Sequence, residues 1–365
     1  MFNKLNVLHW HIMDEESFPL EVETLPDLAK GGAFHPQRAK YDAGTVQEIV
    51  RYGNIHGVRV LPEVSVPGRC HSWRFADHMV SIVADCPNSV IPNSIGGNDI
   101  SSFLLDPSKE RTFEVISEVW KQINKSFSDE FAHIGAGGVL FGIWPRNPSV
   151  AKWMQQRGFS TGTQVFQYFM NRTFQKASTV TNKRFVVWED AFNANVTIPT
   201  DAVIQVSTGE HTLKQVIAAG YSAISSYGWH LNKQKPHNKA LDRYDIMDGW
   251  KDYYKYEPTK GLSGPGLNLS LLLGGEALMW GAQVDEMNIE QRIWPKACAI
   301  AERLWSDKSV TNLQDATARL GVFRCSLARR GVRAGPIAPD YCLMAIESQF
   351  TKTCSGDAAV CGRIP

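Results

Sequence analysis

The sequence predicts an α/β fold built from parallel βα units, and three observations predict it. Strand-like apolar runs alternate with helix-like ones over nearly the whole chain, unlike an all-α, an all-β or a segregated pattern. Seven strand-like runs stand in the chain, one short of the eight that close a (β/α)8 barrel. The 365 residues, 43% hydrophobic and 21% charged, suffice for one large core or two modest ones.

In chain order, the opening Met1-Phe-Asn-Lys-Leu-Asn-Val-Leu-His-Trp10 carries no signal peptide and runs straight into a strand over Leu5–His11. A helix over Thr45–His56 and a strand over Val58–Val64 follow. Cys86–Ser102, rich in Asn, Ser, Pro and Gly, is the one loose tract. Next come a helix over Pro107–Asn124, a strand over Phe131–Gly135, helices over Ser149–Gly158 and Gly162–Thr181, and a strand over Arg184–Glu189. A strand over Ala202–Ser207, a helix over Thr212–Ala219 and strands over Ala223–Tyr227 and Leu271–Trp280 lead to closing helices over Asn288–Trp305 and Asn312–Arg330. No short internal repeat stands out. The barrel is expected over residues 1–345, with 346–365 as a short C-terminal tail.

Charge and composition exclude several function classes. A formal net charge of +1, with no basic run interleaved with aromatics, leaves nothing to pull in nucleic acid or an anionic membrane. No apolar run approaches the ~20 residues that span a bilayer. No cofactor or metal is expected, because His9, His11, His71, His133 and His230 form no metal spacing, and His133 reads as a satisfied barrel-core histidine. Four Asn-x-Ser/Thr sequons, at Asn124, Asn171, Asn195 and Asn268, suit a lumenal or secreted route. Cys325 and Cys342 bracket a polar turn region at a spacing that suits one disulfide, and the odd total of seven cysteines leaves at least one thiol unpaired. Reduced, buried thiols are the competing reading.

The stretch Phe131-Ala-His-Ile-Gly-Ala-Gly-Gly-Val139, with Trp144 five residues on, resembles the segment of glycoside hydrolase family 20, the β-N-acetylhexosaminidases, that ends a barrel strand in His-x-Gly-Gly-Asp-Glu-Val. Leu8-His-Trp-His-Ile-Met-Asp14 followed by Ser17-Phe-Pro is similar to the family's second strand and loop. Gly57-Val-Arg-Val-Leu-Pro-Glu63, then Pro67-Gly68, is similar to the third. Val187-Trp188, Gly274-Gly-Glu-Ala-Leu-Met-Trp-Gly281 and Ala301-Glu-Arg-Leu-Trp-Ser306 match the fifth strand, the eighth strand and the closing helix. Together these motifs cover Phe2 to Cys342 in the family's order. The resemblance implies a (β/α)8 TIM-type barrel whose first βα unit, with its sugar-gripping arginine, has no counterpart here, as expected of a truncated member.

The resemblance also implies which positions carry chemistry. The family hydrolyses a glycosidic bond by attack of the substrate's own acetamido oxygen, with an Asp orienting that group and a Glu as general acid. Those two positions are Gly137 and Gly138 here. Ser65 and Arg69 replace the Asp and His of the family's Glu-x-Asp-x-Pro-Gly-His. Ser207 replaces a pocket-closing Trp, His230 and Asn232 replace the Tyr and Asp of Trp-Tyr-x-Asp, and Ala282 replaces a glutamate that grips sugar hydroxyls. Asp14, Glu63, His133, Trp188, Trp229 and Trp280 remain at matching positions as vestigial substrate contacts.

Bland readings stand beside these. The three strand-end tryptophans serve equally as sugar-stacking rings or as core, and Trp294 and Trp305 read as core. Glu63, Glu189 and Asp190 end strands and are candidates for a substitute carboxyl pair, which needs ~5 Å or ~6.5–9.5 Å separation. The favoured reading instead holds Glu63 by hydrogen bonds inside the barrel mouth and begins a solvated loop at Glu189 or Asp190. Lys233–His237 is a solvated loop. A family cysteine near Cys86 pairs with one before the fourth-strand-loop Trp, where this chain has Ile143, so Cys86 stays free or pairs with Cys70, and Cys354 with Cys361 is a further candidate pair.

The expectation is therefore a β-N-acetylhexosaminidase-like pseudoenzyme, lysosomal or secreted like its family. It would bind terminal N-acetylhexosamine weakly or serve in a homo- or heterodimer with a paralogue. An active exo-hydrolase of terminal N-acetylhexosamine and a product that does not fold stably are the competing expectations.

Overall fold

Parallel strands organise the computed structural model, which describes residues 3–76, 80–85, 103–232, 249–264, 266–281, 284–338 and 342. The chain divides into two compact units, Met1–Ser225 with Thr259–Gly274 and Ser226–Pro258 with Gly275–Pro365. In the first, β1 (Val7–His11) and β2 (Arg59–Val66) are followed by a small antiparallel pair, β3 (Val83–Asp85) and β4 (Phe103–Leu105). Then come β5 (Phe131–Gly135), β6 (Arg184–Trp188), β7 (Val203–Val206), β8 (Ser222–Ser225) and β9 (Leu272–Gly275). The main sheet has the order β1-β2-β5-β6-β7-β8-β9, parallel from β1 through β8. Seven curled parallel strands with helices between them make this an α/β fold of the partial (β/α)8 barrel kind.

Register positions the site. His11 pairs with Glu63, Glu63 with His133 and His133 with Val186, so the first three lie in one row across the C-terminal ends of β1, β2 and β5. Leu61, Val186 and Val203 form a small apolar cluster with Phe131 and Ile224.

Helices α1 (Pro26–Gly32), α2 (Ala43–Ile55), α4 (Ile143–Arg146) and α8 (Glu210–Ala218) belong to the first unit, whose longer helices cover the sheet through apolar stripes. In α3 (Glu110–Ser126), Phe113, Ile116, Trp120 and Ile123 recur at helical spacing and are buried. α5 (Pro148–Arg157) starts with Asn147 accepting from the Ser149 and Val150 N–H groups and ends at Gly158, whose φ of 74° favours glycine. α6 (Gly162–Ser178) opens with a capping box between Thr161 and Gln164 and buries Val165, Phe166, Phe169, Met170 and Phe174. In the second unit, α9 (Trp250–Lys255), α11 (Lys296–Trp305) and α12 (Leu313–Arg329) pack around Trp250, Tyr254, Ala299, Leu320 and Leu327.

Several expectations need correction. The single helix over Asn288–Trp305 is two, α10 (Ile289–Ile293) and α11, because Pro295 cannot donate a helical hydrogen bond. Trp294 packs partly buried against the second unit's core, but Trp305 is 60% exposed and does not fill it. The last strand is four residues long, shorter than Leu271–Trp280. Cys325 and Cys342 form the expected disulfide, and Cys70 and Cys298 are buried free thiols whose pKa burial raises. Cys86, the tract to Ser102, Lys233–His237, Ala282, Cys354, Cys361 and the tail lie outside the described residues.

Candidate active site

A buried carboxylate, Glu63 on β2, is the centre of the site. It is 0% exposed, and its oxygens meet His9 Nε2 at 3.1 Å, His11 Nδ1 at 2.9 Å and the donating Trp188 Nε1 at 2.9 Å. His11 also places Nε2 3.0 Å from Asp14 Oδ2, so its two ring nitrogens each face a carboxylate. That geometry requires both nitrogens to be protonated. Burial lowers the His11 pKa, but the Glu63 charge and the hydrogen bonds to Asp14 and Glu63 outweigh it and leave the pKa at about 9. Burial opposes ionisation of Glu63 too, yet the charge on His11 holds its pKa well below the usual carboxylate value.

His133 behaves oppositely. It is fully buried, and desolvation, aided by the neighbouring His9 and His11, lowers its pKa to about 3 against the pull of Glu63. The Gly135 N–H donates to His133 Nδ1 at 2.9 Å, which leaves the neutral ring's proton on Nε2. Its 3.7 Å approach to Glu63 is therefore no ion pair.

His9, Glu63 and His133 bring ligand-type atoms within 4.8 Å of one another, but they do not fit a metal ion. The His133 Nδ1 lone pair is already engaged, and the His9 and His133 rings stack at 18°, so their in-plane lone pairs run parallel instead of converging.

Above this row the chain leaves β5 through left-handed backbone at Gly135, Ala136 and Gly138, with φ of 77°, 69° and 65°. Gly135 is required sterically, since a Cβ there would lie 2.6 Å from Ser65 Cα. At Gly137 a Cβ would meet Trp188 Cδ1 at 2.8 Å, so the indole occupies the space a side chain would need. At Gly138 the nearest group to a Cβ is the Arg69 guanidinium, at 3.7 Å. Arg69 Nη1 in turn reaches Asp14 Oδ1 at 3.4 Å. Burial raises the Asp14 pKa, but the His11 hydrogen bond and the charges of His11 and Arg69 bring it below its ordinary value.

Two further carboxyls stand at the start of the short helix α7 (Glu189–Asn193). Glu189 is buried, not the start of a solvated loop, and accepts from the N–H and hydroxyl of Ser207 at 3.1 Å. Asp190 accepts from the Gly138 N–H at 3.1 Å. Burial raises both pKa values, and of the two Asp190 is the one partly exposed at the rim.

The structure thus gathers Asp14, Glu63, Ser65, Arg69, His133, Gly137, Gly138, Trp188 and Ser207 in the first unit. Trp229, His230, Asn232 and Trp280 belong to the second. There Trp229 is fully buried, donates to Tyr253 O and stands edge-on to Tyr256, while Trp280 keeps exposed surface. Sequence reasoning passed over His11 as a charged bridge; the His-x-His-x-x-Asp spacing of His9, His11 and Asp14, which puts two side chains on one strand face, is the signal for it.

Parallel strands with helices between them and a buried carboxylate–histidine row define an α/β protein of the partial (β/α) barrel class. Residues 1–308 match the family model for the glycosyl hydrolase family 20 catalytic domain, and the chain belongs to that family. Beta-hexosaminidase subunit A1 of Dictyostelium discoideum is 37% identical over 350 residues, covering 96% of this chain and 62% of that protein. Beta-hexosaminidase subunit alpha of Mus musculus is 34% identical over 359 residues, covering 96% and 63%. The chain therefore spans about three fifths of these relatives' length. Among solved structures, the exo beta-N-acetylglucosaminidase of Vibrio harveyi in complex with N-acetylglucosamine superposes with a TM-score of 0.79 at 22% identity, over 92% of this chain and 55% of that one.

Proposed function

We propose that this chain is a family 20 barrel that does not hydrolyse glycosides and retains at most weak binding of a terminal N-acetylhexosamine. Supporting this is the backbone at Gly137 and Gly138, where the family's orienting carboxylate and general acid would project. Neither space is simply vacant: Trp188 packs against the first and Arg69 borders the second. Loss of a general acid alone costs ~10²–10⁴-fold in rate, about 3–5 kcal/mol of barrier. Losing the group that orients the acetamide adds to that without being additive.

Glu63 is no substitute acid. It is ionised, enclosed and bonded on both oxygens. Of the retained positions, Asp14 in the first unit and Trp280 in the second are the ones not buried. Incubation of the purified protein with a chromogenic N-acetylglucosaminide at about pH 4–7 tests the reading. Turnover within about tenfold of an intact relative overturns it. Should slow release appear, its loss in Asp190→Asn would identify the rim carboxyl as the donor.

A further inference from the structure

The four sequons fall into two structural classes. Asn124 and Asn171 sit inside α3 and α6, where residues two apart point about 200° from one another. Their hydroxyl partners accordingly face the core: Ser126 is 4% exposed and Thr173 0%. Each asparagine is also pinned on the surface, Asn124 Oδ1 accepting from Thr181 Oγ1 at 2.8 Å and Asn171 Oδ1 from Gln167 Nε2 at 2.7 Å.

Asn195 and Asn268 lie in turns with both sequon ends exposed. Asn195, at φ 56°, follows α7 in a left-handed conformation that asparagine tolerates, and no described residue holds its side chain. Thr197, two residues on, is at the surface, its N–H and hydroxyl donating to Gln167 Oε1 at 2.8 and 3.3 Å. Asn268 Oδ1 accepts from both the N–H and the hydroxyl of Ser270, at 3.1 and 2.7 Å, a turn that puts amide and hydroxyl on one side.

From this we propose that the chain is modified by N-linked oligosaccharide at Asn195 and Asn268 and not at Asn124 or Asn171. Attachment needs the carboxamide nitrogen and the hydroxyl two residues later to be reachable together. In the folded chain Ser126 and Thr173 are buried and turned from their asparagines, whereas Thr197 and Ser270 stand at the surface. A branched, hydrated glycan is carried without loss of packing where the asparagine already projects into water. This does not depend on whether the barrel hydrolyses or binds sugar.

The test is expression of the full chain behind a cleavable secretory leader in a eukaryotic host. Peptide-N-glycosidase treatment in heavy-oxygen water and peptide mass spectrometry follow. Heavy-oxygen aspartate is expected at positions 195 and 268 only. Asn195→Gln and Asn268→Gln should each remove one step of the gel shift, as should Thr197→Ala and Ser270→Ala, which spare the asparagines should their replacement impair folding. A label at Asn124 or Asn171, or none at either turn site, overturns the proposal.

Discussion

Adding a single methyl group at Gly137 should reveal how firmly the altered cleft is packed. An alanine Cβ there lies 2.8 Å from Trp188 Cδ1, 3.0 Å from Cγ and 3.3 Å from Cβ, all near the root of the side chain, where a small rotation gives little relief. Trp188 cannot withdraw freely, because it is 6% exposed and its Nε1 donates to Glu63. Overpacking costs about 1–3 kcal/mol. Surrendering a hydrogen bond to an ionised carboxylate costs a similar 1.5–3 kcal/mol or so. Either route destabilises by roughly 2 kcal/mol. Gly138→Ala is the control: its Cβ has room, and only the left-handed φ of 65° penalises it, by about 1 kcal/mol after the entropy lost from the unfolded chain is credited. Urea unfolding followed by tryptophan fluorescence, with slopes checked for cooperativity, measures both. A cycle with Trp188→Ala, which removes Cγ and Cδ1, should show a coupling above about 1 kcal/mol. If Gly137→Ala stays within about 0.5 kcal/mol of the parent, or adds independently with Trp188→Ala, the packed-cleft account is wrong.

Two histidines should bend the stability profile on either side of pH 6.5, with lowered Glu63 and Asp14 adding to the loss at acid pH. Folded His11 holds its proton to about pH 9 against 6.5 for an unperturbed imidazole, so its contribution, at most roughly 3 kcal/mol, is full below 6.5 and lost as pH rises toward 9. Folded His133 resists protonation down to about pH 3, so the unfolded chain takes up that proton first and stability falls as pH drops below 6.5. His11→Gln should flatten the alkaline limb of a urea-midpoint profile; an unchanged limb refutes the assignment. Gly138→Glu is expected to restore no hydrolysis, because the new carboxyl sits beside the Arg69 guanidinium, which favours its ionised form, and clear recovery in the chromogenic assay would show the other losses to be minor. Reducing Cys325–Cys342, which spans 17 residues, should cost up to about 3 kcal/mol, seen as earlier proteolysis of α12 with β5 and β6 unaffected. Equal loosening of both units would contradict that.

What the sequence made legible was periodicity and absence. Phe131–Gly135 is a strand with those same bounds because its apolar run is short, bordered by glycine and buried on both faces. The disulfide was legible from spacing. The proposed loss of an acid pair was legible because glycines at positions 137 and 138 offer no side-chain chemistry whatever surrounds them. Where pattern misled, a competing local rule was present: Pro295 divides a helix that periodicity alone would continue, and Glu189 begins α7 with its carboxylate turned inward to Ser207. Trp305 shows the limit of hydrophobicity itself, since nothing in its letter says which side of a helix lacks a neighbour.

The charged row escaped for a deeper reason. His11, Glu63 and His133 are adjacent only through strand register, and the charge of Glu63 bears on the protonation of both histidines. The same dependence bears on reversibility. Sequence reveals that positions 137 and 138 carry no side chain, but not whether space for one remains. Here Trp188 fills the place beside Gly137 and Arg69, tied to Asp14, borders Gly138. Returning the two carboxyls would therefore place one against an indole with no room to yield and the other beside a cation that opposes its protonation. Simultaneous change at Trp188 and Arg69 is the least that a functional acid pair would demand.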